Sequence, residues 1–272
     1  MLHASQLAAC VDMHPYQPVS EAFEKVWKRT YPESFSAAYA RNDKKTDDLI
    51  LRDFIATSPA ARGLIASAET PRETAGAVAR NLVNTTDMVA DLPTDAATKK
   101  LVRDQLRKSC YTSYGIARES AVLEKLRAEL VFGLKTDDSF KCADFPGDSG
   151  TVVRIGGRLD AMSDDGAVVV EIKNRVNRLF GKVVEYENVQ IQAYIRIIGA
   201  ESGLLVENIT LPDGSMSTAT HFVPKDDDLW ARVVNRAGKF MECLRGVDTD
   251  PVEADAYVVS KKKNAFIRSR II

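Results

Sequence analysis

The chain has 272 residues, of which 45% are hydrophobic and 28% are charged, so it is long enough to bury a sizeable core as one large domain or two small ones. Its formal net charge of −1 excludes a strong overall field for nucleic acid, and any polyanion site must therefore be a local basic patch. The 4 cysteines stand far apart without a Cys-x-x-Cys pair, which argues against a zinc site and against a disulfide framework.

The first half of the chain is predicted to be helical. A short helix over "SQLAACV", a turn at "HPYQP" and a helix over "SEAFEKVWKRTY" are expected within residues 4–31, with Ser20 as the cap of the second helix. Breaks at "TSPAARG", "AETPRE" and "DLPTDA" predict three or four helices between about 32 and 109, where we find no catalytic constellation. Residues 113–130 are predicted to form an amphipathic helix. Its apolar stripe consists of Ile116, Leu123, Leu126 and Leu130.

The second half alternates β character with helices. After a break at "FPGDSG", residues 151–173 are predicted to form strands, followed by a basic connector and a helix over "VQIQAYIRIIGA". A strand pair around the turn "LPDG", a helix entered through acidic residues and a basic tail complete the chain. We therefore predict an α/β fold with a mixed central sheet flanked by helices and preceded by a helical N-terminal region. The predicted boundaries are 1–109 for that region, 110–256 for the core and 257–272 for the tail.

The stretch "GRLDAMSDDGAVVVEIKNR", residues 157–175, carries charged residues on otherwise apolar strands. Asp165-Gly166 is the dipeptide typical of a two-residue type I′ turn, and with that loop Asp160 faces Glu171. Because strand side chains alternate, the predicted polar face consists of Arg158, Asp160, Glu171 and Lys173, and the apolar face of Leu159, Ala161, Val170 and Ile172. Two opposed carboxylates about 5 Å apart repel each other unless a cation lies between them.

A hard divalent ion is the cation that such a pair would suit. Mg²⁺ or Mn²⁺ accepts carboxylate ligands and completes its shell with water and phosphate oxygens. Lys173 beside the ion could orient or activate an attacking water, or neutralise charge on a phosphate. The alternative is a surface hairpin in which Lys173 and Arg158 pair with the acids in solvent at little energetic value.

One pattern of this stretch resembles the signature of the PD-(D/E)XK nucleases: Asp160 is followed, after ten intervening residues, by Glu171-Ile172-Lys173. Leu159 stands where that family often has proline. Gln190 and Tyr194 in "QIQAY" are similar to the Q-x-x-x-Y element of the RecB-like branch. Upstream, "YGIARE" is similar to its G-x-x-x-E helix.

Two further stretches extend the resemblance towards the ends of the chain. The opening "ASQLAACVDMHPY" is similar to the N-terminal element of the YqaJ-type viral recombinases, the group that contains the lambda-type alkaline exonucleases. The closing "HFVPKDDDLWARVVNRAGKF" is similar to the strand and helix that finish this domain. The resemblance covers residues 4–29 and roughly 110–245, whereas the region 32–109 has no counterpart.

The resemblance implies a restriction-endonuclease-like core that acts as a metal-dependent DNA exonuclease in recombination, repair or viral DNA processing. Mg²⁺ is the implied cofactor and Mn²⁺ its substitute, while no iron–sulfur cluster is expected because only Cys243 lies beyond the catalytic strand. The implied metal ligands are Glu119, Asp160, Glu171 and the backbone carbonyl of Ile172. The implied catalytic set adds Lys173, which positions the attacking water, and Gln190 and Tyr194, which support Lys173 and the substrate strand.

A basic connector follows the predicted catalytic strand. Together with Arg158, the connector residues Arg175, Arg178 and Lys182 are predicted to bind DNA phosphates, and Phe180 could stack on or wedge a terminal base. The alternative is a solvated loop. The tail 257–272 could bind DNA, act as a nuclear-import address or be a disordered solubilising end.

The partners and the compartment follow from the same reasoning. DNA is the implied partner, and a single-strand annealing or recombination protein and a homo-oligomer, such as a ring-like trimer, are further candidates. No apolar run approaches the roughly 18 residues that cross a bilayer, and no signal peptide is recognisable, so we expect a soluble intracellular protein of the cytoplasm or nucleus with no membrane partner. Two other functions stay open: a structure-selective or single-strand endonuclease, and a catalytically silent DNA-binding or scaffold protein.

Overall fold

In the computed structural model, which describes residues 1–147 and 150–272, helices surround two β-sheets. The break predicted at "FPGDSG" includes residues 148–149, which lie outside the described residues. The helices are α1 (Ala4–Cys10), α2 (Val19–Thr30), α3 (Pro32–Arg41), α4 (Asp47–Thr57), α5 (Pro59–Glu69), α6 (Ala75–Ala90), α7 (Ala96–Glu129), α8 (Glu185–Ile198), α9 (Asp227–Thr249), α10 (Pro251–Val259) and α11 (Lys263–Ile271). The strands are β1 (Leu2–His3), β2 (Leu134–Lys135), β3 (Lys141–Pro146), β4 (Val152–Gly157), β5 (Ala161–Ser163), β6 (Val168–Asn174), β7 (Ser202–Thr210) and β8 (Met216–Pro224).

The larger sheet is mixed and has the strand order β2-β5-β6-β7-β8. Strands β6 and β7 run parallel, and the other neighbours are antiparallel. The smaller sheet has the order β1-β4-β3, so Asp160 lies where the chain passes from one sheet to the other. The predicted α/β fold is confirmed: a restriction-endonuclease-like core with a mixed sheet and flanking helices follows a helical N-terminal region.

The hairpin of β5 and β6 has the predicted register but a different turn. Ala161 pairs with Val170, as the two-residue loop required. The loop nevertheless spans 164–167 and is closed by a hydrogen bond of 2.9 Å from the Gly166 N–H to the Ser163 carbonyl. Only Gly166 has a positive φ, 77°, whereas a type I′ turn needs one at both central residues. The loop is longer than the predicted one by one residue at each end. The pairing of β5 with β6 therefore does not shift.

Successive residues of β6 alternate between the two faces of the larger sheet. Val170 and Ile172 pack in the core cluster that α7 covers, whereas Val169 belongs to the larger core that includes α8. Leu159, predicted to share a face with Ala161, lies in the larger core instead. The reason is that residues 158–160 are not part of a strand and do not follow its alternation.

Helix α7 is longer than the sequence pattern predicted. It begins at Ala96, so the boundary expected between 109 and 110 falls inside the helix. Leu123 and Leu126 are buried as expected, but Ile116 is 68% exposed. The apolar side chains of the first half of α7 face α4, α5 and α6 and form a second core there.

The two ends of the chain meet in the larger core. Tyr257, at the start of the predicted tail, is fully buried, as is Ile267 of α11, so these residues do not form a separate or disordered tail. Lys263 Nζ donates a hydrogen bond of 2.6 Å to a Glu24 carboxylate oxygen of α2. Ser20 lies inside α2, which begins after Pro18, and is not its cap. Among the described residues, no helix combines the length and apolarity needed to cross a membrane.

Candidate active site

Asp160 contacts β6 and lies in the chain just before β5 begins. Its Oδ2 accepts a hydrogen bond of 2.6 Å from the Ile172 N–H. The N–H and C=O of one strand residue point to the same side of the strand. The Ile172 carbonyl therefore also faces the Asp160 side, as the implied metal ligation requires.

Glu171, Lys173 and Gln190 form a hydrogen-bonded triangle on the α8 side of β6. Lys173 Nζ donates a hydrogen bond of 2.6 Å to Glu171 Oε1 and one of 3.0 Å to Gln190 Oε1. Gln190 Nε2 donates a hydrogen bond of 2.8 Å to the same Glu171 oxygen, and the Tyr194 hydroxyl lies 3.5 Å from that amide nitrogen. Gln190 and Tyr194 reach the site together because residues four apart lie on one face of a helix.

The second oxygen of Glu171 is buried without a hydrogen-bond partner. The residue is 4% exposed, and among the described residues nothing donates a hydrogen bond to its Oε2 atom. A buried carboxylate oxygen left unpaired costs roughly 1–3 kcal/mol or more. A ligand that neutralises this oxygen would therefore stabilise the folded protein.

Burial and neighbouring negative charges raise the pKa values of two acids of the site, Asp160 and Glu119. Burial raises the pKa of Asp160 well above its usual value, and the negative charges of Glu171 and Glu119 raise it further. Burial also raises the pKa of Glu119 on α7, followed by the charges of Glu171 and Asp138. The structure thus brings Glu119, Asp160 and Glu171 into one electrostatic cluster.

Lys173 stays protonated within this cluster. Burial by itself disfavours its positive charge, but the carboxylates of Glu171 and Asp160 outweigh burial, so the pKa of Lys173 is raised. A protonated lysine is not a metal ligand. It can hold a water or balance charge on a phosphate instead.

Arg175 does not lie where its predicted contact with DNA phosphate requires. Its guanidinium donates hydrogen bonds of 2.7 and 2.9 Å to the two oxygens of Glu187 and one of 2.8 Å to Glu207. Both acids are buried. It also lies 4.0 Å from the ring centroid of Phe180, so one face of that ring is covered. Arg175 is therefore a largely buried structural residue, with 12% of its side chain exposed, because two acids brought from α8 and β7 need its charge.

Glu207 is the residue that sequence reasoning missed. Besides Arg175, it accepts hydrogen bonds of 2.9 Å from the backbone N–H groups of Phe180 and Gly181, and His221 Nε2 lies 3.1 Å from it. It thereby anchors the basic connector to the central sheet. A glutamate inside the apolar run "GLLVENIT" was the available signal, since a buried acid needs a partner.

The remaining predicted DNA-binding residues are on the surface. Arg158, Arg178 and Lys182 are exposed, and none of them is hydrogen-bonded or ion-paired to another residue that the structure describes. Arg178 and Lys182 line one cleft, to which Arg158 does not belong. The structure therefore leaves these three cations accessible to a polyanion.

The donor set fits a hard divalent ion that uses few protein ligands. The described residues contain no group of three or more His, Cys, Asp or Glu side chains placed to hold a metal ion. Mg²⁺ is commonly held by one or two carboxylates, with waters and substrate phosphates completing its octahedron. Asp160 and the unpaired Glu171 oxygen, with the Ile172 carbonyl, would supply that partial shell.

Fold and site together define an α/β protein with a restriction-endonuclease-like core and a cluster of acids and one lysine at the middle strand of its larger sheet. No protein-family model and no curated protein sequence matches the chain. It is similar to the crystal structure of an alkaline exonuclease, LHK-Exo, from Laribacter hongkongensis, with 19% identity, a TM-score of 0.40, and coverage of 64% of this chain and 93% of that chain.

Two other solved structures show a likeness of the same degree. LHK-Exo in complex with dAMP is 14% identical, with a TM-score of 0.40 and coverage of 71% of this chain and 96% of that chain. The protein SSO0001 is 18% identical, with a TM-score of 0.39 and coverage of 67% and 94%. These likenesses are too low to carry an argument about function, which has to come from the site itself.

Proposed function

We propose that the protein is a metal-dependent DNA nuclease that acts as an exonuclease on linear DNA ends. The observation that carries this proposal is the unpaired, buried Oε2 of Glu171, a residue whose other oxygen accepts from Lys173 and whose charge acts on Asp160. Two acids at such a site repel each other and need a cation, and a lysine beside them suits a phosphate ester.

Each residue of the site has a distinct task in this proposal. Asp160 and Glu171, with the Ile172 carbonyl, would hold Mg²⁺ or Mn²⁺, and Glu119 would contribute through its charge or through water. When bound, the ion would acidify a water and stabilise charge on the leaving oxygen. Lys173 would hold that water in line with the scissile phosphate.

Gln190 keeps Lys173 in place. Its amide oxygen accepts from Lys173 and its amide nitrogen donates to Glu171, so both side chains are fixed from the same helix. Tyr194 lies behind Gln190 and is buried. Positioning of this kind lowers the entropic cost of reaching the transition state.

The test compares linear with covalently closed double-stranded DNA of the same sequence in Mg²⁺. An exonuclease degrades only the linear form, and Lys173→Ala abolishes that degradation. Nicking or linearisation of the closed circle would instead establish the structure-selective or single-strand endonuclease. If neither form is cut, and the wild type and Lys173→Ala bind DNA equally, the protein is the silent DNA-binding alternative and the proposal is wrong.

A further inference from the structure

An aromatic cleft of about 610 Å³ lies beside the candidate active site. The turn after α1, the basic connector and α11 line it. Its aromatic residues are His14, Tyr16, Phe180 and Tyr186. Small-molecule sites usually occupy about 300–1,000 Å³, so the cleft is large enough for a nucleotide.

Three of the rings form one cluster, in which the Tyr16 ring is nearly perpendicular, at 77°, to the Tyr186 ring. The ring centroids of His14 and Tyr186 are 4.5 Å apart, and those of Tyr16 and Tyr186 are 6.4 Å apart. His14 Nδ1 accepts hydrogen bonds of 2.9 Å from the Gln17 N–H and 3.3 Å from the Tyr16 N–H, which fix the imidazole. Burial lowers the pKa of His14, so the ring is neutral near neutral pH. Tyr16 is 81% exposed and leaves a ring face open to a ligand.

The charges of the cleft suit a phosphodiester chain. Arg178 and Lys182 are exposed and form no ion pair with another described residue. The third cation of the lining, Arg268, donates hydrogen bonds of 2.6 and 2.9 Å to the two oxygens of Asp12, so these charges cancel. The remaining acid of the lining is Glu185, so the net charge of the lining residues is positive once the Arg268–Asp12 pair is left out.

The position of Tyr186 connects the cleft to the active site. Tyr186 precedes Gln190 by one turn of α8, a rise of about 6 Å along the helix. Gln190 contacts both Lys173 and Glu171. Burial and the charge of Glu187 raise the pKa of Tyr186, and the positive charges of Arg175 and, to a smaller extent, Lys173 partly offset this. One nucleotide of an extended strand can bridge such a distance.

We infer that this cleft binds an unpaired nucleotide of the DNA strand, with its base against Tyr16, His14 and Tyr186 and its phosphates beside Arg178 and Lys182. The inference rests on the proposed function, since it names the part of the substrate that the site holds. The face of an aromatic ring accepts any base, and stacking of one base is worth about 5- to 150-fold in affinity.

The experiment measures binding of a labelled single-stranded oligonucleotide and of the same oligonucleotide with abasic positions, by fluorescence anisotropy in EDTA so that no cleavage occurs. The wild type should bind the intact strand about fivefold more tightly or better. Tyr16→Ala should remove this difference. Phe222→Ala is the matched control, because Phe222 is also exposed, 68%, but lies on β8 outside the cleft, and it should keep the difference.

Equal binding of intact and abasic strands by the wild type, or a difference that survives in Tyr16→Ala, overturns the inference. Cleavage of linear DNA in Mg²⁺ by the same preparations separates it from the proposed function. If the wild type cleaves DNA but shows no base-dependent binding, only the cleft assignment fails. If base-dependent binding depends on Tyr16 but no preparation cleaves DNA, the cleft is upheld and the nuclease function fails.

Discussion

Replacing Arg175 by alanine tests whether the basic connector is anchored from inside the protein. The substitution removes the positive charge that Glu187 and Glu207 share in the buried region between α8 and β7. Glu207 keeps its hydrogen bonds from the Phe180 and Gly181 N–H groups. Glu187 loses the side-chain partner seen in the structure. Removing one member of a buried ion pair costs about 3–5 kcal/mol, and because Glu207 stays partly satisfied we expect about 3 kcal/mol.

Urea unfolding measures this loss. With a slope of about 1–3 kcal/mol per molar urea, the midpoint of Arg175→Ala should fall by about 1 M or more. The matched control is Arg154→Ala, because Arg154 pairs with Asp144 in the same two-bonded geometry, 2.7 Å for each bond, but in solvent. That exposed pair should contribute little. Arg175→Lys should be intermediate, since lysine keeps the charge without the planar fork. If Arg175→Ala unfolds like Arg154→Ala, the connector is not anchored in this way.

Three other substitutions test separate parts of the structure. Gly157→Ala would place a Cβ 2.8 Å from a ring carbon of Tyr194, so it should cost about 1–3 kcal/mol in thermal unfolding and slow cleavage, whereas an unchanged melting temperature would contradict this contact. Ile267→Ala should cost about 2–5 kcal/mol because the side chain is fully buried in α11, and a negligible cost would mean that the C-terminal helix is not part of the core. Burial raises the pKa of Glu207, but its two backbone donors and Arg175 lower it more, so the net pKa lies below the usual value. The free energy of unfolding of the wild type should therefore exceed that of Glu207→Gln by its full amount above the usual glutamate pKa, and this difference should disappear as the pH falls through the lowered pKa of Glu207. Unfolding curves at several pH values measure the difference. A difference that grows at low pH would refute the lowered pKa.

Local patterns predicted which side chains of β6 and α8 lie close together. The alternation of β6 and the spacing of Gln190 and Tyr194 depend on residues close in sequence, and the structure places Lys173 and Gln190 in contact. The register of β5 on β6 was also right although the turn type was wrong, because the loop is longer by one residue at each end and a one-residue slip would turn the apolar residues outward.

Contacts between distant segments could not be predicted in the same way. Arg175 was expected on the surface because its acidic partners, Glu187 and Glu207, are 12 and 32 residues away in sequence. The basic C-terminal residues were expected to be a tail because nothing local shows that Tyr257 packs against α2, where its hydroxyl donates 3.3 Å to the Ser20 carbonyl. Both errors come from judging charge and burial without knowing the tertiary neighbours.

We propose that the Glu171 carboxylate and Lys173 form a metal-dependent site for cutting DNA. The most direct test is the single-turnover rate of cleavage of end-labelled linear DNA in Mg²⁺, with Glu171→Gln compared with the wild type and with Lys100→Ala. The Lys100 side chain is exposed and pairs with Asp104 one turn away. We expect Glu171→Gln, which keeps the shape of the side chain but not its charge, to lose about 100-fold or more, while Lys100→Ala keeps the wild-type rate and EDTA stops both. Cleavage by Glu171→Gln at the wild-type rate, or cleavage by the wild type that persists in EDTA, would contradict the account.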